Sequence, residues 1–150
     1  GDMADTMQFD LVSPERNLLS VPVREVRLPG TEGDLTAMPG HAPAIVNLRP
    51  GIVTVVAADG TETEFAVTGG FVEISNESVS LLAERGYPRG EMTQVVFNEM
   101  MAQAVRRVHV AKERGSAGEE FVTAAGKFLG DMEALGTHIG LDPNQANFPD

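Results

Sequence analysis

The chain has 150 residues, 42% of them hydrophobic, with 22 acidic residues against 11 basic ones and no cysteine. That suffices for one ordinary core with a small appendage, and the lack of cysteine excludes disulfides and thiolate metal sites. A net charge of -11 with one tyrosine and no tryptophan offers neither the basic patch nor the stacking surface of a nucleic-acid binder, and an anionic lipid surface would repel it.

Gly1-Asp2-Met3-Ala4-Asp5 has no basic n-region and no apolar h-region, so no secretory signal is read there; Gly1 and Asp2 ahead of Met3 read as a cloning remnant. No apolar run approaches the ~18 residues of a membrane span, and a cytoplasmic protein is expected. Gln8-Phe9-Asp10-Leu11-Val12 alternates polar and apolar, the pattern of a half-buried strand. Val21 to Leu28 alternates again. Between them and the next strand, Gly33-Asp34-Leu35-Thr36-Ala37-Met38-Pro39-Gly40-His41-Ala42-Pro43 places two glycines, two prolines and a histidine in one short stretch. Proline fixes φ and glycine opens positive φ, so a pair of tight turns is expected here. Ile52 to Val56 is β-branched and ends at Asp59-Gly60, a strong hairpin signal, with Glu62 to Val67 returning. Gly69-Gly70 leads into Phe71-Val72-Glu73-Ile74, and Asn76-Glu77 turns the chain into Val79 to Leu82. Turn signals at this spacing, without strand-helix alternation, point to an antiparallel sandwich or flattened barrel.

At Arg85 to Gly90 the period changes through a linker marked by Gly86, Pro88 and Gly90. Met92, Val96, Met100 and Val105, with Phe97, Met101, Ala104 and Val108, then lie on one broad helical face. Arg106, Arg107, Lys112 and Arg114 gather near its C-terminal end as a candidate basic patch, with Gly115 as the C′ residue. Ser116-Ala117-Gly118-Glu119 has capping-box spacing and opens a second helix. Its seam is Phe121, Ala125, Phe128, Met132, Leu135 and Ile139, and the short connection makes the two helices antiparallel. Gly126, Gly130, Gly136 and Gly140 each cost about 1 kcal/mol against alanine in a helix interior, so weak helicity is expected. Asp142-Pro143-Asn144-Gln145 and Phe148-Pro149-Asp150 read as a mobile tail. The fold class is α+β: a β-sandwich over 1–87 and a two-helix hairpin with its tail over 88–150.

Catalytic signatures are scarce. His41, His109 and His138 lie far apart in sequence, with no paired-histidine metal spacing, and no serine stands in a Gly-x-Ser-x-Gly elbow. Thr68-Gly69-Gly70 lacks the lysine of a phosphate loop. Glu62, Glu64, Glu73 and Glu77 read as a solvated sheet face. No catalytic residue, cofactor or metal is expected, and a non-catalytic interaction protein is favoured.

Four blocks, in order, carry a resemblance: Phe9-Asp10-Leu11-Val12-Ser13-Pro14-Glu15; Gly30 to Leu35 with Met38-Pro39-Gly40-His41-Ala42-Pro43; Leu48-Arg49-Pro50-Gly51-Ile52-Val53; and Val67-Thr68-Gly69-Gly70-Phe71-Val72-Glu73-Ile74. Over about residues 8–87 the chain resembles the epsilon subunit of F-type ATP synthases, whose mitochondrial counterpart is called delta. The resemblance implies a sandwich of about ten strands at the foot of the central stalk, bound to the gamma subunit and the c-subunit ring. That rotor couples proton-driven rotation to ATP synthesis and sits peripherally on the cytoplasmic face of the bacterial inner membrane. The hairpin makes the catalytic-head subunits a further candidate partner. Carried over, Glu32 and Asp34 meet the c ring, His41 lies at the gamma or c-ring contact, and Gly33, Pro39, Gly40 and Pro43 form turn scaffold. Many bacterial relatives carry a Leu/Ile-Asp-x-x-Arg-Ala block linked to ATP binding. Here Met92-Thr93-Gln94-Val95-Val96-Phe97 has neither its aspartate nor its arginine, so no nucleotide is expected. Residues 117–140 hold Glu119, Glu120, Asp131 and Glu133 against Lys127, the wrong sign for an inhibitory contact with acidic head segments. The alternative reading is a free-standing β-sandwich that senses a ligand or nucleotide.

Overall fold

The computed structural model describes residues 6–114 and 118–144. The chain divides into two compact units, Gly1–Glu91 and Met92–Asp150. Among the described residues the first unit has nine strands: β1 (Met7–Val12), β2 (Asn17–Gly30), β3 (Gly33–Ala37), β4 (Ala44–Leu48), β5 (Gly51–Ala57), β6 (Glu62–Val67), β7 (Gly70–Ile74), β8 (Ser78–Ala83) and β9 (Gly86–Pro88). They form one sheet folded into a sandwich around the alternating apolar positions. Met7, Phe9 and Leu11 of β1, Val72 and Ile74 of β7, and Val79, Leu81 and Ala83 of β8 all point inward and are buried.

β2 accounts for the count of nine against the ten or so implied by resemblance. Its 14 residues serve both layers. Residues Asn17 to Val23 pair with β1, while Val26 to Gly30 pair with β3, and Val23 to Arg27 with β5. The register shifts between Val23 and Glu25, the kind of irregularity that bends a strand from one layer into the other. A single contact, Gly30 opposite Leu48, closes β2 onto β4.

Three expectations change. The sheet is antiparallel except for β1 and β8, which run parallel from Gln8↔Ser78 to Val12↔Leu82. The direction of β8 is set by its hairpin with β7, and no local turn signal links it to β1. Gly33 to Ala37 is not turn but strand, paired with β2 from Gly30↔Gly33 to Val26↔Ala37. Only Met38 to His41 is a tight turn. The expected linker at Arg85 to Gly90 is instead β9, paired with β6, followed by a 3-10 turn over Arg89–Glu91. The two units therefore divide after Glu91. The four glutamates read as one face are also spread out: Glu62 and Glu64 pair with Arg27 and Arg89, while Glu73 lies on β7 and Glu77 in the β7–β8 turn. At the β5–β6 hairpin the Thr61 backbone N–H donates to Asp59 at 2.9 Å, and that bond holds the Asp59 carboxylate below its usual range.

The second unit consists of α1 (Gln94–Glu113) and α2 (Glu119–His138). Thr93 caps α1, its hydroxyl accepting from the Val96 N–H at 3.3 Å, so Met92 stands outside the helix. Phe97, Met100, Met101, Ala104 and Ala111 are its buried residues; Val96, Val105 and Val108 are only half-buried. Gly115 and Ser116 lie outside the described residues, as do Gly1, Asp2 and the tail from Gln145. The N-cap of α2 is Gly118, without a side-chain bond. Antiparallel packing follows from the cross-helix contacts, Phe97 with Gly136, Arg107 with Phe128 and Arg114 with Phe121. At the open end Gln94 and Asp142 exchange two hydrogen bonds, Gln94 Nε2 to the Asp142 carbonyl at 2.8 Å and the Asp142 N–H to Gln94 Oε1 at 2.9 Å.

The glycines of α2 divide by role. Gly126 and Gly130 face open space, consistent with weak helicity alone. Gly136 is a close-approach position: a Cβ there would lie 2.2 Å from Phe97 Cζ. Gly140 is outside the helix with φ +82, and the Leu141 N–H to Gly136 and Gly140 N–H to Thr137 bonds make a Schellman stop. Within the seam Met132 and Leu135 are buried, but Phe121 is 57% exposed.

Candidate partner interface

Three surfaces of the first unit are built by the strands just described. The first is a hairpin tip. Thr31 and Glu32 form the two-residue connection between β2 and β3, and both are exposed. Neither has a positive φ; Gly33, at φ +132, absorbs the reversal. Asp34, the second residue after the tip, pairs with Arg49 at 2.5 Å. Arg49 also donates to the Gly30 carbonyl at 2.5 Å. Glu32 has no ion pair or side-chain hydrogen bond among the described residues.

The second surface is the Met38–His41 turn. The His41 N–H donates to the Met38 carbonyl at 3.0 Å, with Pro39 at the second position and Gly40, φ +86, at the third. That is a type II turn, and its third position excludes most side chains. The Gly40 N–H donates to the Asn76 carbonyl at 2.9 Å and fastens the turn to the β7–β8 connection. His41 Nδ1 lies 2.6 Å from the Ala42 carbonyl, and Pro43 is exposed. Glu32 and His41 therefore flank opposite ends of β3, separated by a strand of five residues, about 17 Å at the usual rise. Glu32 and Asp34 are brought together; His41 is not with them.

The third surface was not singled out by sequence reading. Ile45, Phe71 and Leu82 sit at outward positions of adjacent strands β4, β7 and β8, and are 74%, 39% and 45% exposed. Phe71 pairs directly with Leu82 across β7–β8 and with Asn47 across β4–β7, and Ile45 is diagonal to Phe71. The result is an apolar strip on the outer face of the sheet. In β4 and β7 both faces carry apolar residues, so alternation gave no signal for which face would stay open.

In the second unit the expected basic patch is exposed, but not as one cluster. Arg106, Arg107 and Arg114 line a groove of about 750 Å³ between α1 and α2, floored by Val110, Phe121 and Phe128. Arg107 stacks on Phe128 at 4.2 Å and Arg114 on Phe121 at 5.1 Å. Lys112 is exposed and outside that lining.

Among the described residues no group of acidic or histidine side chains is placed to hold a metal, and no helix is long and apolar enough to cross a membrane. The sequence matches the family described as ATP synthase, Delta/Epsilon chain, beta-sandwich domain, over residues 6–89, the whole strand unit. The chain belongs to the ATP synthase delta/epsilon family. The epsilon chain of Paracoccus denitrificans ATP synthase is 85% identical over 147 residues, covering 98% of this chain and 99% of that one. The epsilon chain of Rhodobacter capsulatus is 62% identical over 139 residues, covering 93% and 100%. A chain in the mitochondrial ATP synthase of Euglena gracilis, solved with its c-ring, matches with TM-score 0.68 at 19% identity, covering 93% of this chain and 84% of that one, and shows a shared fold. Both bacterial matches run through the helices, so the two-helix unit belongs to the epsilon pattern as well as the sandwich. The chain is thus a subunit of the ATP synthase complex, structural or regulatory rather than catalytic.

Proposed function

We propose that this chain is a central-stalk rotor subunit of a proton-translocating F-type ATP synthase, coupling rotation of the c ring to ATP synthesis in the catalytic head. The observation that carries this reading is the 85% identity to an ATP synthase epsilon chain across 98% of the sequence. The apolar strip of Ile45, Phe71 and Leu82 is assigned to the gamma subunit, since an exposed apolar patch on a folded sheet is a docking surface. The Thr31–Glu32 tip is assigned to the c ring, where a lone carboxylate suits polar, partly basic loops and sets register more than affinity. His41, at the far end of β3, is assigned to the gamma side. The complex lies peripherally on the cytoplasmic face of the inner membrane.

Mixing the full chain with gamma is expected to give an equimolar complex in size-exclusion chromatography. Separate elution of the two would overturn the reading and return the chain to a free-standing ligand-sensing module. The hairpin is assigned at most a weak inhibitory role, because α2 is acidic and two of the four cations of the expected patch, Arg107 and Arg114, stack on Phe128 and Phe121. Truncation after Gly90 is accordingly expected to change ATP hydrolysis by the assembled enzyme by less than about twofold. A marked rise in hydrolysis would assign the hairpin a substantial brake.

A further inference from the structure

We propose that Arg49 is a positioning residue for the Thr31–Glu32 tip, bracing the hairpin from outside its two strands and occupying Asp34, so that Glu32 alone carries the free charge of the tip. As far as it concerns the c ring, this rests on the function proposed above.

The tip needs such a brace. β3 pairs with β2 alone and is an edge strand of five residues. Two-residue hairpins favour turns with positive φ in the loop, because those match the twist of the strands. Thr31 and Glu32 have none. The reversal falls to Gly33, at the start of an edge strand with one neighbour, and contacts from outside the ladder add to its hold.

The stabilising contacts come from the end of β4 and the segment joining it to β5. The Thr31 N–H donates to the Asn47 carbonyl at 2.9 Å, and the Arg49 N–H donates to the Pro29 carbonyl at 3.0 Å. The Arg49 guanidinium then spans the turn. One Nη donates to the Gly30 carbonyl, before the tip, and the other to Asp34 Oδ1, after it, each at 2.5 Å. A planar fork holds two acceptors on opposite sides of a turn, which a lysine ammonium does not do with the same geometry. The Arg49 side chain is 29% exposed and that of Asp34 79%, so the cation is the anchored partner and the carboxylate the captured one. With Asp34 paired to Arg49, the unpaired carboxylate that a partner meets at the tip is that of Glu32.

The test uses the full chain and the variants Arg49→Gln, Arg49→Lys, Asp34→Asn and Glu32→Gln. Amide hydrogen exchange at residues 31–34 is expected to speed up about tenfold in Arg49→Gln, the order of one lost charge-assisted contact, with β5 and β6 amides and Tm unchanged. Arg49→Lys should recover only part of the protection, and Asp34→Asn should loosen the tip less than Arg49→Gln, because the Gly30 contact survives. Unchanged exchange at the tip in Arg49→Gln overturns the proposal, and so does a uniform rise across the sheet with a lower Tm, the sign of a merely structural arginine. In the assembled synthase, Glu32→Gln and Arg49→Gln should each lower ATP synthesis relative to hydrolysis. A tip loosened by Arg49→Gln while Glu32→Gln leaves coupling intact supports the brace and overturns the c-ring assignment.

Discussion

Phe71→Asp is expected to weaken binding to gamma by about 100-fold, near 3 kcal/mol, while leaving the isolated chain folded. The size follows from its position. Phe71 lies between Asn47 and Leu82 in the middle of the outward strip, and a central aromatic anchor commonly contributes about 2–4 kcal/mol. The fold should survive because the core side of β7 is carried by Val72 and Ile74, which are buried, whereas Phe71 points outward. Calorimetric titration of gamma with the variant measures the loss, and thermal unfolding of the free chain checks the fold. An affinity equal to that of the parent would move the gamma contact off this strip. Ile45→Asp, more exposed and at the edge of the strip, should cost less.

Gly136→Ala is expected to destabilise the helical unit by about 1 kcal/mol, although glycine to alanine in a helix interior normally stabilises by about 1 kcal/mol. The sign reverses because the added Cβ would sit 2.2 Å from Phe97 Cζ, with Cε2 and Cε1 at 2.7 and 2.9 Å. Phe97 is fully buried and has no solvent to swing into, so the cost is that of overpacking, about 1–3 kcal/mol and set against the propensity gain. Gly126→Ala meets nothing within 4 Å and should show the ordinary gain. Two identical substitutions on one helix should thus shift its unfolding in opposite directions. Hydrogen exchange of the α2 amides reads both, and Phe97→Leu should relieve Gly136→Ala in part. A stabilised Gly136→Ala chain would mean that the helices meet less closely than Phe97 and Gly136 do here.

These two cases show what the sequence made legible. The alternating strand Gln8 to Val12, the hairpin of Ile52 to Val56 and Glu62 to Val67 marked by Asp59-Gly60, and the helical period after Met92 came through because each is a local signal. Ala44 to Leu48 did not, because its apolar residues occupy both faces, and Gly33 to Ala37 did not, because its glycine and the following Pro39-Gly40 read as turn chemistry. Gly136 could not be told from Gly126 or Gly130, since what distinguishes it is the ring of a residue on the other helix. The site divides in the same way. The acids of the tip were legible as charges, but Asp34 proves to be held by Arg49, whose role depends on a contact across 15 positions of sequence. The separation of His41 from Glu32 follows only once the residues between them are known to be extended.

The place of β1 has a bearing on how the molecule is made. β1 lies between β2, which follows it directly, and β8, its parallel neighbour, which ends only at Ala83. Until that point one edge of β1 has no partner, and loop closure over such a span is slow relative to hairpin formation. Synthesis therefore passes through a long interval in which a half-zipped chain offers an open backbone edge, and a translational pause before Ala83 would prolong the period in which chaperones, or other nascent copies, can capture it.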